Sequence, residues 1–77
     1  MNFAHNLTSR RKELGMSVEE LAKKIGVARS YVTHMENNKR LPGKKLLSKF
    51  ARVLKTNEDV VIEWYLTSIR EKIKSYS

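Results

Sequence analysis

The segment SVEELAKKIGVARSYVTHME, residues 17–36, decides how this chain folds. It holds two short helical patterns separated by a turn at Gly26. Ser17 stands one residue before the first pattern and Glu20 follows it by three, the spacing of a capping box. In that arrangement the serine oxygen accepts an unpaired backbone N–H, and the glutamate reaches back to the cap. Leu21, Ala22 and Ile25 recur at helical spacing, so one face of the first helix is apolar. Gly26 falls just past Ile25, where a left-handed residue turns the chain at little steric cost. Val27, Val32 and Met35 form the apolar set of the second pattern.

The wet face of the second helix is unusual. A short surface helix commonly carries flexible charges there. This one carries Arg29, Ser30, Tyr31, Thr33 and His34, whose groups make directional hydrogen bonds to base edges, sugars and phosphates. A helix tilted by its partner and carrying such residues has the geometry of a major-groove reader. The competing reading is a helical hairpin with an ordinary polar face.

A length of 77 residues allows one small domain with limited core per residue. The chain has no cysteine, which removes disulfides and thiolate metal sites and fits a reducing cytoplasm. No apolar run approaches the roughly 20 residues that span a bilayer, and the first residues lack the form of a signal peptide. The net charge is +8 and is unevenly placed. Residues 1–55 hold 13 Lys and Arg against four Glu, a balance of +9, whereas residues 56–77 hold three basic and four acidic residues, a balance of −1. A basic body with a near-neutral tail suits a polyanionic partner, with plain solubility charge as the alternative.

Before the central segment, Phe3, Leu7 and Leu14 predict a first helix from Phe3 to Leu14, closed by Gly15. After it, Asn38 is the residue best suited, after glycine, to a left-handed turn. Pro42 and Gly43 precede a fourth helix over Lys44 to Lys55, with Leu46, Leu47, Phe50, Ala51, Val53 and Leu54 on its apolar side. Thr56-Asn57 breaks the chain, and a last helix runs from about residue 58 to about Ser75. Val61, Trp64 and Tyr65 of that helix can finish the core. Ile62, Leu66, Ile69 and Ile73 continue as a stripe beyond the compact body, which something must cover. A second copy of the helix would do so; folding back on its own domain is the alternative.

These residues together resemble the XRE family, the phage repressor and Cro type of helix-turn-helix domain. The resemblance rests on Leu14-Gly15, Ser17 to Ala22, Ile25-Gly26-Val27, Val32, Met35-Glu36-Asn37, Pro42 and Leu46-Leu47, and it extends from about Phe3 to about Leu54. It implies an all-α, five-helix repressor-like domain over 1–77 with an extended C-terminal helix. It implies DNA-base contacts from Arg29, Ser30, Tyr31, Thr33 and His34, with Tyr31 stacking on a sugar or a thymine methyl or bonding a phosphate; a packing tyrosine is the alternative at that position. Ser17, Asn37, Lys39, Arg40 and Lys44 would meet the DNA backbone. Many relatives carry a polar phosphate contact where Val18 stands here, so that contact falls to Ser17 and the helix start. Arg11 matches a position that pairs with a glutamate at the end of the reader helix, and Glu36 occupies that place. Arg11 against solvent or phosphate is the other possibility.

The size and last helix are similar to the controller proteins of restriction–modification systems, several of which carry an Arg-small-Tyr run like Arg29-Ser30-Tyr31. The expected function is a homodimeric transcriptional regulator, a repressor in the simplest case, on an inverted-repeat operator in duplex DNA. The rival is a protein-interaction module, antitoxin-like or an inhibitor partner, whose terminal helix binds a different protein. An enzyme is not expected, because no carboxylate cluster and no nucleophile–base pair is visible. No metal, cofactor, membrane or small-molecule ligand is expected; the two histidines, His5 and His34, lack companion ligands.

Overall fold

Asn2 opens the first helix. Its side-chain oxygen accepts the His5 N–H at 2.9 Å, meeting one of the donors that a helix start leaves unpaired. The computed structural model describes residues 1–74, which form five helices: α1 (Phe3–Glu13), α2 (Val18–Ile25), α3 (Arg29–Glu36), α4 (Lys44–Val53) and α5 (Glu58–Lys74). No strand occurs among the described residues, so the fold is all-α. The expected end of the last helix at about Ser75 lies outside the described residues.

The capping box forms as its spacing predicts. Ser17 Oγ accepts the Glu20 N–H at 3.0 Å, and Glu20 Oε1 accepts the Ser17 N–H at 3.3 Å. Gly26 takes φ +87° and donates its N–H to the Ala22 carbonyl at 2.8 Å, which closes α2 in the left-handed region. The chain then turns directly into α3, which packs against α2 and α1. Leu21, Ala22, Ile25, Val32 and Met35 are all buried in one core with Phe3, Leu7, Phe50, Leu54 and Val61. Phe3 sits among aromatic partners, edge-on to Phe50 at 5.5 Å and to Trp64 at 6.4 Å. A buried side chain of this size contributes about 1.5–3 kcal/mol, so the small core depends on few residues. Met16, unassigned by pattern alone, is also buried.

The turn between α4 and α5 departs from the sequence reading. The break does include Thr56-Asn57, but α4 ends at Val53 rather than Lys55, and Lys55 takes a left-handed conformation at φ +54°. The Thr56 N–H bonds the Ala51 carbonyl at 2.9 Å, and the Lys55 N–H bonds Arg52 at 3.3 Å. Arg10 reaches across from α1 to complete this corner. Its Nε donates to the Leu54 carbonyl at 2.9 Å and its Nη2 to the Lys55 carbonyl at 3.3 Å. A guanidinium offers such donors in a rigid fork, and here it satisfies two carbonyls that the helix end leaves open.

Helix α5 also departs from expectation. Rather than running past the body, it packs along both α4 and α1. Ser68 is the reason at its far end. This hydroxyl is 1% exposed and accepts the buried Phe3 N–H at 2.8 Å. Asn2 Nδ2 adds a bond to Glu71 Oε1 at 3.0 Å. Of the stripe, Ile62 packs partly on the chain's own core and Ile69 is half-buried, while Leu66 is 38% and Ile73 65% exposed. Periodicity identifies the apolar row but not which edge of it the domain itself covers.

Replacing Ser68 with Ala strands the Phe3 N–H in the interior. A buried donor left unpaired costs about 1–3 kcal/mol, so S68A lowers the urea midpoint at unchanged slope. An unaltered midpoint would remove Ser68 from this role.

Candidate nucleic-acid interface

Helix α3 is fixed from behind and open in front. Val32 and Met35 face the core with no measurable exposure. On the other side Arg29, Ser30, Thr33 and His34 are all exposed. These four line one shallow depression of about 290 Å³, so the fold gathers four of the five expected base-contacting residues on a single free surface. The Thr33 hydroxyl donates to the Arg29 carbonyl at 3.2 Å. Ala28 caps α3 without a side-chain bond.

Tyr31 is placed differently. It is half-buried and packs against the core. The Arg40 guanidinium lies over its ring, 4.7 Å from the ring centre. Arg40 arrives there because the chain reverses after α3. Asn38 takes the expected left-handed conformation at φ +60°. Its N–H bonds Met35 at 3.2 Å, and the Lys39 N–H bonds His34 at 2.9 Å.

The expected backbone-contacting residues are all exposed but are not all in one place. Asn37 caps the end of α3, with Lys39 and Arg40 just beyond it. Ser17 starts α2, its oxygen and N–H both engaged in the capping box. Lys44, at the start of α4, lies instead along a groove between α4 and α5 with Leu47, Glu58, Ile62, Tyr65 and Leu66. This groove encloses about 350 Å³. Leu47 and Tyr65 read as core from sequence, yet they also line this groove.

Arg11 and Glu36 make the expected pair. Arg11 Nε meets Glu36 Oε2 at 2.7 Å and Nη2 meets Oε1 at 3.2 Å, a two-pronged geometry, and Nη1 donates to the Met16 carbonyl at 2.7 Å. Both side chains are only 11% exposed. The pair ties α1 to the end of α3 and thereby sets the tilt of the exposed face. The roles of Arg10 and Ser68 escaped sequence reading, because their partners are backbone groups 44 and 65 residues away.

The described residues contain no group of three His, Cys, Asp or Glu able to hold a metal ion. None of the described helices is long and apolar enough to cross a membrane.

Two short helices joined by a tight turn, the second presenting a free polar face, define a helix-turn-helix DNA-binding domain. Residues 7–61 match the Helix-turn-helix family model HTH_3. The chain belongs to this XRE-type family of DNA-binding transcriptional regulators. An uncharacterized HTH-type transcriptional regulator of Archaeoglobus fulgidus is 43% identical over 53 residues, covering 68% of this chain and 76% of that one. The fold matches SinR of Bacillus subtilis, a master regulator for biofilm formation solved in complex with DNA, at TM-score 0.71 and 34% identity, over 78% of this chain and 97% of that one. It also matches the restriction–modification controller protein C.Esp1396I at TM-score 0.69 and 28% identity, over 87% and 86% of the two chains.

Removing one side of this largely shielded ion pair leaves a charge without compensation and costs up to about 3–5 kcal/mol, the scale of a fully buried pair. E36A therefore loses stability on that scale in thermal or urea unfolding. The double variant R11M/E36L removes both charges but also the bond to the Met16 carbonyl, so it recovers part of the loss. Equal losses in the two variants would show that packing, not charge compensation, holds this corner.

Proposed function

We propose that this chain is a repressor that binds an inverted-repeat operator as a homodimer, working in the cytoplasm. The whole of 1–77 serves as one DNA-binding domain, with the segment from about 58 to 75 as its pairing element. One observation carries the reading. Arg29, Ser30, Thr33 and His34 surround one open depression on a helix whose opposite side is locked into the core. A major groove about 12 Å wide admits such a helix, and its base edges carry distinct donor and acceptor patterns.

Within this reading Arg29 bonds the O6 and N7 of a guanine together. Ser30 and His34, four residues apart and so on one face, contact neighbouring bases, and Thr33 offers its methyl to a thymine. Asn37, Lys39, Arg40, Ser17 and Lys44 hold the DNA backbone, which sets register and makes affinity fall with salt. That SinR, which shares this fold, is solved in complex with DNA supports a DNA-binding role.

The pairing surface proposed here is the row Ile62, Leu66, Ile69 and Ile73, together with the groove beside it. Exposed apolar side chains at Leu66 and Ile73 support it. A two-fold pair of this kind sets two α3 helices about 34–36 Å apart, one turn of DNA. Occupancy of a promoter then blocks polymerase sterically.

Selection of bound duplexes from a random pool tests the whole reading. The expected product is a symmetric site with half-sites one helical turn apart; an asymmetric site, or no enrichment, would reject it. Arg29→Ala abolishes preference at one guanine, a discrimination worth about 1–3 kcal/mol, while non-specific binding persists. Equal loss on every sequence would rule out base reading by Arg29. Leu66→Glu, at an exposed position, yields a folded monomer with weakened operator binding, read by sedimentation. A dimeric L66E would move the pairing surface elsewhere.

A further inference from the structure

We infer that Tyr31 acts as a positioning residue that holds Arg40 against the reader helix before DNA arrives, rather than as a base contact. The inference rests on the DNA-binding reading above and deepens it at one residue pair. The Tyr31 ring packs on the core side, and its face carries the Arg40 guanidinium at 4.7 Å. That face is therefore occupied within the protein and cannot at the same time stack on a base or a sugar.

The loop geometry makes the contact stable. Arg40 lies two residues past Asn38, whose left-handed turn folds the chain back along α3. The Lys39 N–H on the His34 carbonyl ties the backbone of that return to α3 itself. The cation–ring contact then ties its side chain to α3 one turn nearer the N-terminus. A free arginine at a loop tip samples many rotamers, and fixing it on DNA has an entropic cost. A ring beneath a planar guanidinium removes part of that freedom in advance while leaving the N–H edges open to a phosphate. Arg40 is exposed, so those edges can be reached.

A supporting ring differs from a tyrosine that touches DNA in two ways. The tyrosine hydroxyl is dispensable, and the ring matters only when Arg40 is present. Binding to a short duplex of random sequence suffices as a probe, because a phosphate contact is independent of sequence.

Four variants are compared at fixed salt: Y31F, Y31L, R40Q and Y31L/R40Q. Y31F binds as the wild type does. Y31L binds about two- to fivefold more weakly, the range set by an exposed cation–π contact. The double variant binds no more weakly than R40Q alone. In free protein, ring-current shifts on the Arg40 side-chain protons are present in wild type and Y31F and vanish in Y31L, a readout that a change in stability does not mimic. A loss in Y31F, a Y31L effect that persists fully beside R40Q, or Arg40 protons at their ordinary shifts would each overturn the inference while DNA binding stands. Failure of the wild type to bind any duplex would overturn the DNA-binding reading and this inference with it.

Discussion

The two-pronged pair between Arg11 and Glu36 is the interaction on which the working geometry depends. Apolar contacts hold α3 in the core through Val32 and Met35, but non-directional contacts allow a short helix to roll. A guanidinium and a carboxylate held at 2.7 and 3.2 Å allow far less. With both side chains mostly shielded from water, the pair contributes orientation more than net stability. A third bond from Arg11 to the Met16 carbonyl extends the same constraint to the connection entering α2. Thus one arginine relates α1, the start of the helix-turn-helix and the end of α3.

The C-terminal helix shows how a small core is supplemented by polar contacts at its ends. Arg10 fastens the corner where α4 hands over to α5, and Ser68 fastens the far part of α5 to the start of α1. Both bonds are made to backbone groups at helix termini, where partners are missing by construction. As a result α5 lies along the body with one apolar edge committed inward and the other facing outward over the α4–α5 groove. Under the proposed dimer this docking determines the separation of the two reading helices, so structural bonds at Arg10 and Ser68 bear on operator spacing.

Much of the architecture was legible. The Ser17–Glu20 box, the Gly26 turn and the apolar set Leu21, Ala22, Ile25, Val32 and Met35 are local signals. Each depends on residues within one or two helical turns. Asn38 was legible for the same reason, since its side chain suits a left-handed turn. Lys55 was not, because nothing in lysine favours φ +54°; the conformation follows from how α4 and α5 meet and from Arg10 closing over them. The exposed polar face of α3 was visible as a cluster of residue types. Whether the protein's own body covered it was not visible.

Residue order alone carried five helices, the Ser17–Glu20 cap, most of the core and the chemistry offered on α3, because these follow from periodicity and from side-chain-to-backbone bonds made nearby. Three things emerged only in three dimensions: that the Arg40 guanidinium lies over the Tyr31 ring, that Lys44 borders the α4–α5 groove, and that α5 folds along its own domain. The physical reason is common to all three. Each depends on groups brought together from distant parts of the chain or across a reversal, and pattern records which face of a helix is apolar without recording what that face will meet.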